Sequence, residues 1–358
     1  MKPLRWGILG AANIARKNWK AIALSGNSVL TAVASRNLEK GQRFIAECQA
    51  HTPLQTAPDA YGNYEALLSS DVDAVYIPLP CGLRKEWVLR AAAAGKHVLC
   101  EKPCAVTLND LKEMIDACRR NRVQFLDGVM FMHSQRLPRV REVLDDGQSV
   151  GSLRRITSAF SFGAPPEFFA ANIRGDSHLE PHGCIGDLGW YCIRLSLWAM
   201  NWQVPKAITG RILSQTESKS GRGGVPTEFS GEMIFDGNIS ASFYCSFITE
   251  NQEWALLSGT RGYLHLPDFV LPFPGDNVNF TVFNHAFKSS GCDFRMEPNA
   301  LPVTLPEHSH SHPTAQETNM FRNFANQVNS GKLNEDWPKW ALLTQQAMAA
   351  CLEAAGIQ

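Results

Sequence analysis

Several things are scarce in this sequence. No apolar run approaches the roughly 18 residues of a membrane span, which excludes a helical membrane protein. Neither sign of charge is in excess, with 34 Lys plus Arg against 34 Asp plus Glu. The electrostatic footprint of a nucleic-acid binder is therefore missing. The opening "MKPLRWGILG" enters a strand-like run with no signal-peptide h-region. Ten cysteines fall at irregular spacings, and a chain of 358 residues does not need staples. They are expected to be reduced thiols in a cytoplasmic protein. Cys100-x3-Cys104 fits no common zinc spacing, and the alternating His308, His310 and His312 fit no structural zinc pattern. No metal site is expected. No internal repeat or low-complexity segment is visible.

What is present is alternation. Over the first 125 or so residues, strand-like runs ("LRWGILG", "VLTAVASR", "DAVYIPLP", "HVLCEKP", "VQFLDGVM") alternate with helical ones such as "ANIARKNWKAIALSG" and "TLNDLKEMIDACRRNR". That rhythm implies βαβ units and a parallel sheet, buried on both faces. Later the rhythm changes to alternating strands: "SLRRITSAFSFG", then "EFSGEMIFDGNISASFYCSF" with a hairpin at Asp236-Gly237, then "WALLSGTRGYLHLP". A Pro-, Gly-, Asp- and Asn-rich loop with strand-like pieces such as "NFTVFN" is expected from about Leu271 to His312, and two helices close the chain. The expectation is an α/β protein with a doubly wound parallel sheet over residues 1–128. Residues 129–358 form an α/β domain with a large antiparallel sheet, whose C-terminal helices are free to pack back on the first.

At the first strand-to-helix turn, Gly10-Ala11-Ala12-Asn13-Ile14-Ala15 stands where a dinucleotide fold carries G-x-G-x-x-G/A. Gly10 allows the tight turn, and Ala15 permits close helix–strand packing. Ala12 replaces the second glycine, so a pyrophosphate would sit slightly further out. Backbone N–H groups of Ala12, Asn13 and Ile14 would face the phosphates. An NAD site wants a carboxylate at the end of the second strand, roughly 20 residues on. Here Ser35 and Arg36 occupy that place, with Lys40 one turn beyond. Arg36 can pair with a 2′-phosphate. The cofactor expected is NADP(H) in preference to NAD(H).

Ligands of an open α/β sheet lie outside the carboxyl ends of its strands. Pro78 and Leu79 stand at one such end, and Glu101, Lys102 and Pro103 at another. Pro103 pushes Lys102 into an extended conformation and so aims it. A lysine there offers fixed positive charge to a developing alkoxide and lowers the pKa of a neighbouring acid, such as a tyrosine starting near 10. "GCIGDLGWYCIR" supplies that acid. It opens a helix at Gly186, and Asp187 and Tyr191, four apart, share a helix face.

Taken together, "GILGAANIA", "AVASRN", "VYIPLP", "AGKHVLCEKP", "EPHGCIGDLGWYCI" and "SGTRGYLHLP" resemble the glucose–fructose oxidoreductase, inositol dehydrogenase and rhizopine-catabolism (Gfo/Idh/MocA) family. The branch most resembled contains NADP-dependent xylose dehydrogenase and dimeric dihydrodiol dehydrogenase. That branch carries tyrosine, here Tyr191, where inositol dehydrogenases carry histidine. The resemblance implies a Rossmann domain followed by an open-sheet domain that makes a homodimer or higher homo-oligomer. It implies a cis bond before Pro103. It also implies that Lys102 and Tyr191 act on the substrate oxygen, that Asp187 supports them, and that Glu101 positions Lys102 or the nicotinamide amide. Cys81 departs from the family, standing where Asn or Thr is commoner.

The substrate is expected among "IPLPC", the lysine corner and "GAPPEFFAANIRGDSHLEPHG", with Phe162, Arg174 and His182 as contacts. Aromatic rings beside hydrogen-bonding groups suit a sugar. The activity expected is hydride transfer between NADP(H) and a CH–OH group of an aldose or related small molecule. The alternatives are a trans-dihydrodiol dehydrogenase of the same fold and a non-catalytic NADP(H)-sensing protein.

Overall fold

A computed structural model describes residues 2–221 and 223–357. The first half alternates as its periodicity requires: β1 (Leu4–Leu9), α1 (Asn13–Leu24), β2 (Ser28–Ala34), α2 (Leu38–His51), β3 (Asp59–Tyr61), α3 (Tyr64–Leu68), β4 (Ala74–Ile77), α4 (Cys81–Ala93), β5 (His97–Cys100), α5 (Leu108–Arg120) and β6 (Phe125–Asp127). All six strands are parallel, in the order β3-β2-β1-β4-β5-β6. The order reverses between β1 and β4, and a crevice opens at that switch point. The short β3 and α3 were invisible to periodicity, because three and five residues hold too little of a period to be read.

The second half runs α6 (Arg136–Asp145), β7 (Leu153–Gly163), α7 (Glu167–Ala171) and α8 (Trp190–Ala199), the last preceded by a π-helical turn at Ile185–Gly189. The strands β8 (Ala207–Glu217), β9 (Gly224–Phe235), β10 (Ile239–Ser246), β11 (Ile248–Gly259), β12 (Tyr263–Leu266), β13 (Val278–Phe283), β14 (Ala286–Ser290), β15 (Asp293–Glu297) and β16 (Ala300–Leu305) follow, then α9 (Gln316–Asn329) and α10 (Asp336–Ala354). Eight strands form one sheet, β16-β13-β12-β11-β7-β10-β9-β8. It is antiparallel except where β10 runs parallel to β7, so the sheet is mixed rather than purely antiparallel. The expected loop from Leu271 to His312 holds four strands: β13 falls on the strand-like "NFTVFN" piece, and β14 and β15 form an exposed separate ribbon. Their alternation was masked by Gly, Asn and Pro between short runs.

Helix α9 lies against the first sheet. Phe321 and Phe324 each meet Trp6 at a ring-centroid distance of 5.0 Å, and Phe321 meets Tyr76 at 5.9 Å. Two buried clusters result, both of them built from the two halves of the chain. A buried ion pair, Arg194 with Asp127, ties α8 to the end of β6, and Arg194 Nε also donates to Thr344 Oγ1 of α10 at 2.6 Å. Among the described residues no helix is long and apolar enough to cross a membrane.

Candidate active site

A cleft of about 1670 Å3 runs along the carboxyl edge of the first sheet and under β7 and β11. At its first end Gly10 has φ +122°, and a Cβ there would fall 2.9 Å from Leu79 Cδ2. Only glycine fits this turn. Gly10 N donates to Ala34 O at 2.9 Å, which fixes the turn against β2. Ala12 caps α1 in an ordinary extended conformation, with φ −89° and ψ 157°. Asn13 and Ile14 are exposed at the mouth. Ser35 is buried at the end of β2 and donates its N–H to Tyr61 O at 3.0 Å. The side chain of Asn37 caps α2 by accepting from Lys40 N. Arg36 and Lys40 are exposed, and neither holds an ion pair among the described residues. An anion at this end would meet two free cations and no carboxylate, as a dinucleotide with an added phosphate requires.

The other end is crowded with charge. Tyr76 Oη donates to Glu101 Oε1 at 2.6 Å, and Lys102 N–H to Glu101 Oε2 at 3.3 Å. Gly128 makes room for this carboxylate, since a Cβ there would lie 3.1 Å from Glu101 Cδ. The Lys102–Pro103 peptide is cis. Lys102 Nζ donates to Asp187 Oδ1 at 2.7 Å and to the Asp187 carbonyl at 2.6 Å. Arg174 reaches the same carboxylate, Nε to Oδ2 at 2.5 Å and Nη2 to Oδ1 at 3.2 Å. Burial alone would raise the Asp187 carboxyl. The two cations overcome it and hold the group far below the usual carboxylate range.

Tyr191 lies beside this cluster. Lys102 Nζ sits 4.7 Å from its ring centroid, and its hydroxyl donates to Met130 Sδ at 3.7 Å. Burial pushes the phenol well above its ordinary value, the Glu101 and Asp187 carboxylates push it further, and Arg174 opposes them. This differs from the expectation that Lys102 lowers the tyrosine pKa. In this structure the ammonium faces the ring and is matched by Asp187, so burial decides. The π-helical turn carries Asp187, and helix α8 begins after it, so these two residues straddle a change of helical pitch that spacing could not reveal.

The loop that brings Arg174 here is anchored on α4. Glu180 Oε1 accepts from Cys81 N at 3.0 Å and lies 3.7 Å from Arg84 Nη2. Arg84 is buried and donates through Nε to Leu79 O at 2.7 Å. Gly82 admits the loop, for a Cβ would fall 2.2 Å from His178 O. Cys81 is buried beneath this contact at the start of α4.

All eleven residues expected at the cofactor line the cleft: Gly10, Ala12, Asn13, Ile14, Ser35, Arg36, Lys40, Pro78, Leu79, Glu101 and Lys102. Tyr191, Asp187, Phe162 and Arg174 line it too. His182 does not. It is buried over Gly186, beside the backbone of Ala105 and Val106, where burial lowers its pKa to about 4. It supports the corner from behind, because the residues after Glu180 turn inward to enter the π turn. Asn18, Phe160, Glu180, Glu253, Trp254 and Glu317 line the cleft without having been singled out from the sequence. His308 and His312 stack at 3.5 Å between ring centroids.

The comparisons with known proteins agree with this layout. A family model described as an oxidoreductase family with an NAD-binding Rossmann fold matches residues 4–128, and a Gfo/Idh/MocA C-terminal domain model matches residues 138–265. The chain is 31% identical over 262 residues to D-xylose 1-dehydrogenase (NADP(+)) 2 of Haloferax volcanii, covering 73% of this chain and 75% of that one. It is 29% identical over 274 residues to trans-1,2-dihydrobenzene-1,2-diol dehydrogenase of Mus musculus, covering 75% and 76%. A dTDP-3,4-didehydro-2,6-dideoxy-alpha-D-glucose 3-reductase of Saccharopolyspora spinosa is 38% identical over 195 residues, little more than half of each chain at 54% and 55%. The solved structure of KijD10, a 3-ketoreductase from Actinomadura kijaniata in complex with NADP and TDP-benzene, shares the fold. Its TM-score is 0.80 over 99% of this chain and 98% of that one, at 24% identity. The chain belongs to the Gfo/Idh/MocA family of oxidoreductases.

Proposed function

We propose that this chain is an NADP(H)-dependent oxidoreductase acting on a CH–OH group of an aldose or related polyol. The observation that carries the reading is one cleft with two differently furnished ends. Free cations and a glycine turn stand at the first, and Lys102, Asp187 and Tyr191 converge at the second. The residues fit the cofactor: a Cβ at Gly10 would close the phosphate turn, and Arg36 and Lys40 hold no ion pair among the described residues where a 2′-phosphate would lie. Gly10, Ala12, Asn13 and Ile14 would hold the pyrophosphate, Ser35, Arg36 and Lys40 the phosphorylated ribose, and Pro78, Leu79 and Glu101 the nicotinamide end. Residues 1–128 would form the cofactor-binding unit and residues 129–358 the substrate unit. NADP(H), when bound, supplies or accepts the hydride.

The chain's own residues do the rest. Tyr191 is held protonated by burial and can donate its proton to a carbonyl oxygen being reduced, or take it back from an alcohol. Lys102 and Arg174 keep positive charge beside that oxygen as it becomes an alkoxide. Asp187 fixes both cations in place. Glu101 holds the Lys102 backbone and its carboxylate raises the phenol further. The aromatic wall of Phe160 and Phe162 also favours a second reading, oxidation of a trans-dihydrodiol, an activity a 29% identical relative carries. The sensing alternative leaves the buried Lys102–Asp187–Tyr191 cluster without a task.

Steady-state kinetics on xylose, glucose and a trans-dihydrodiol with the wild type, Lys102→Ala and Tyr191→Phe test the reading. Each variant should lose roughly 10²–10⁴-fold in kcat while its NADPH affinity changes little. Normal turnover in both variants refutes the assignment.

A further inference from the structure

Glu253 is a half-buried carboxylate in the wall of the cleft with no role in the chemistry just described. Its position follows from strand register. On β11 it stands directly opposite Phe160 of β7, and opposite residues of an antiparallel pair share a face with Cβ atoms about 5 Å apart. Phe160 in turn packs edge-on against Tyr191, with ring centroids at 5.6 Å. The carboxylate is thus one side chain away from the ring that supports the tyrosine, on the same wall.

Its bonding is incomplete in a way its neighbours' is not. Asp187 gives both oxygens to cations, and Glu101 gives both to Tyr76 and Lys102. Glu253 Oε2 accepts the Leu271 N–H at 2.7 Å, while Oε1 has no partner among the described residues. The charges around it are committed elsewhere. Asp268 is paired with Arg136 at 2.5 Å, and Lys17 of α1 lines the same cleft without an ion pair to it among the described residues. Burial pushes the carboxyl up to about 7, with Asp268 adding to the rise; the Leu271 N–H, Arg136 and Lys17 oppose it. Phe273 lines the same cleft.

Resting on the polyol reading of this cleft, we propose that Glu253 is a specificity-determining residue. It accepts a hydrogen bond, through its free oxygen, from a substrate hydroxyl remote from the reacting carbon. The partner is an uncharged polyol, because a carboxylate at this place repels a phosphorylated or acidic sugar. The bond tethers the far end of the substrate while Tyr191 and Lys102 hold the near end.

The test compares wild type, Glu253→Ala and Glu253→Gln on a sugar the wild type turns over and on its monodeoxy analogues. Assays run about one pH unit above the carboxyl's value, where the group is charged. Loss of a hydrogen bond to a charged group should raise KM about tenfold or more in Glu253→Ala, with the loss falling on KM rather than kcat. Glu253→Gln, which keeps an acceptor oxygen, should recover part of it. On one monodeoxy analogue wild type and Glu253→Ala should become equal, and that analogue names the hydroxyl. An unchanged KM in Glu253→Ala overturns the proposal. So does a KM rise equal on every analogue, which is what a carboxylate serving only to hold the Leu271 backbone would give. If the wild type binds NADPH but turns over no polyol, the polyol reading itself falls and this inference falls with it.

Discussion

Arg36 and Lys40 at the mouth of the cleft are exposed and hold no ion pair among the described residues, whereas Lys102 and Arg174 at its floor share Asp187. Lys102 and Asp187 have side chains only 11% and 15% exposed. An isolated charge costs several kcal/mol when taken from water, so a buried cation must bring its partner with it. A cation in solvent has no such need and can be kept for a ligand. The two ends therefore teach opposite things: bare charge is what an incoming anion would need, and paired charge is what a buried site can hold before any ligand arrives.

The largest break in this comparison should come from Asp187→Ala. It leaves two cations facing each other with no carboxylate between them. Removing one partner of a buried pair costs roughly 3–5 kcal/mol. Arg174, 35% exposed, can turn to water, so the loss should sit near about 3 kcal/mol. Urea unfolding measures it, and kcat should collapse with it. A variant as stable as wild type would show that the floor does not need its counter-ion.

Next in size is a pH effect. His182, behind the Lys102–Pro103 corner, and His133, beside Asn323, are both lowered to about 4, chiefly by burial. Between that value and the ordinary one near 6.5 the unfolded chain takes up protons that the folded protein refuses. Stability should therefore be full above about pH 6.5 and fall as pH drops toward 4, by up to about 2–3 kcal/mol for each histidine. Urea midpoints at neutral and acid pH should show this, and His182→Asn should flatten part of the slope. An equal slope in that variant would remove His182 from the account.

Arg36→Ala probes the other end. It should weaken NADPH about 10–100-fold, the worth of one or two charge-assisted hydrogen bonds, and leave NADH almost unchanged. The wild-type preference should shrink in high salt, because these cations are exposed. Equal losses for both coenzymes would mean that Arg36 touches something other than the 2′-phosphate.

The mouth was legible in the sequence because its pieces are local. Gly10 to Ile14 form one turn, Ser35 to Lys40 another, and each is read by position after a strand. Glu101 and Lys102 were legible for the same reason. The floor was legible only in its members. Nothing in spacing shows that Arg174 and Lys102, on separate elements, meet on one carboxylate. Glu180 reaches Cys81 N across 99 positions, and Arg194 reaches Asp127 across 67. Glu253 finds Phe160 only through β11–β7 register. His182 was misplaced because a histidine before a catalytic helix looks the same whether it faces the cleft or the core. The ribbon at β14–β15, with Phe287 and Phe294 more than half exposed, was hidden in a loop-like composition.

The smallest effect concerns Ala12, the one departure from the usual phosphate turn. Its φ and ψ lie in a region any residue adopts, so the backbone does not demand glycine. Ala12→Gly frees the unfolded chain, which costs stability, yet glycine is better than alanine at a helix N-cap. The two effects should offset to within about 0.5 kcal/mol. What remains is the methyl group, which on the proposed reading would face the pyrophosphate where it nears the backbone. Removing it should tighten NADPH by no more than about threefold, since glycine there lets the phosphate approach. NADH should gain equally, because the pyrophosphate is common to both coenzymes. Fluorescence titration of the two would settle it. Weaker binding in Ala12→Gly would make the methyl a contact rather than an obstacle, and the turn a site adapted to hold its phosphates further out.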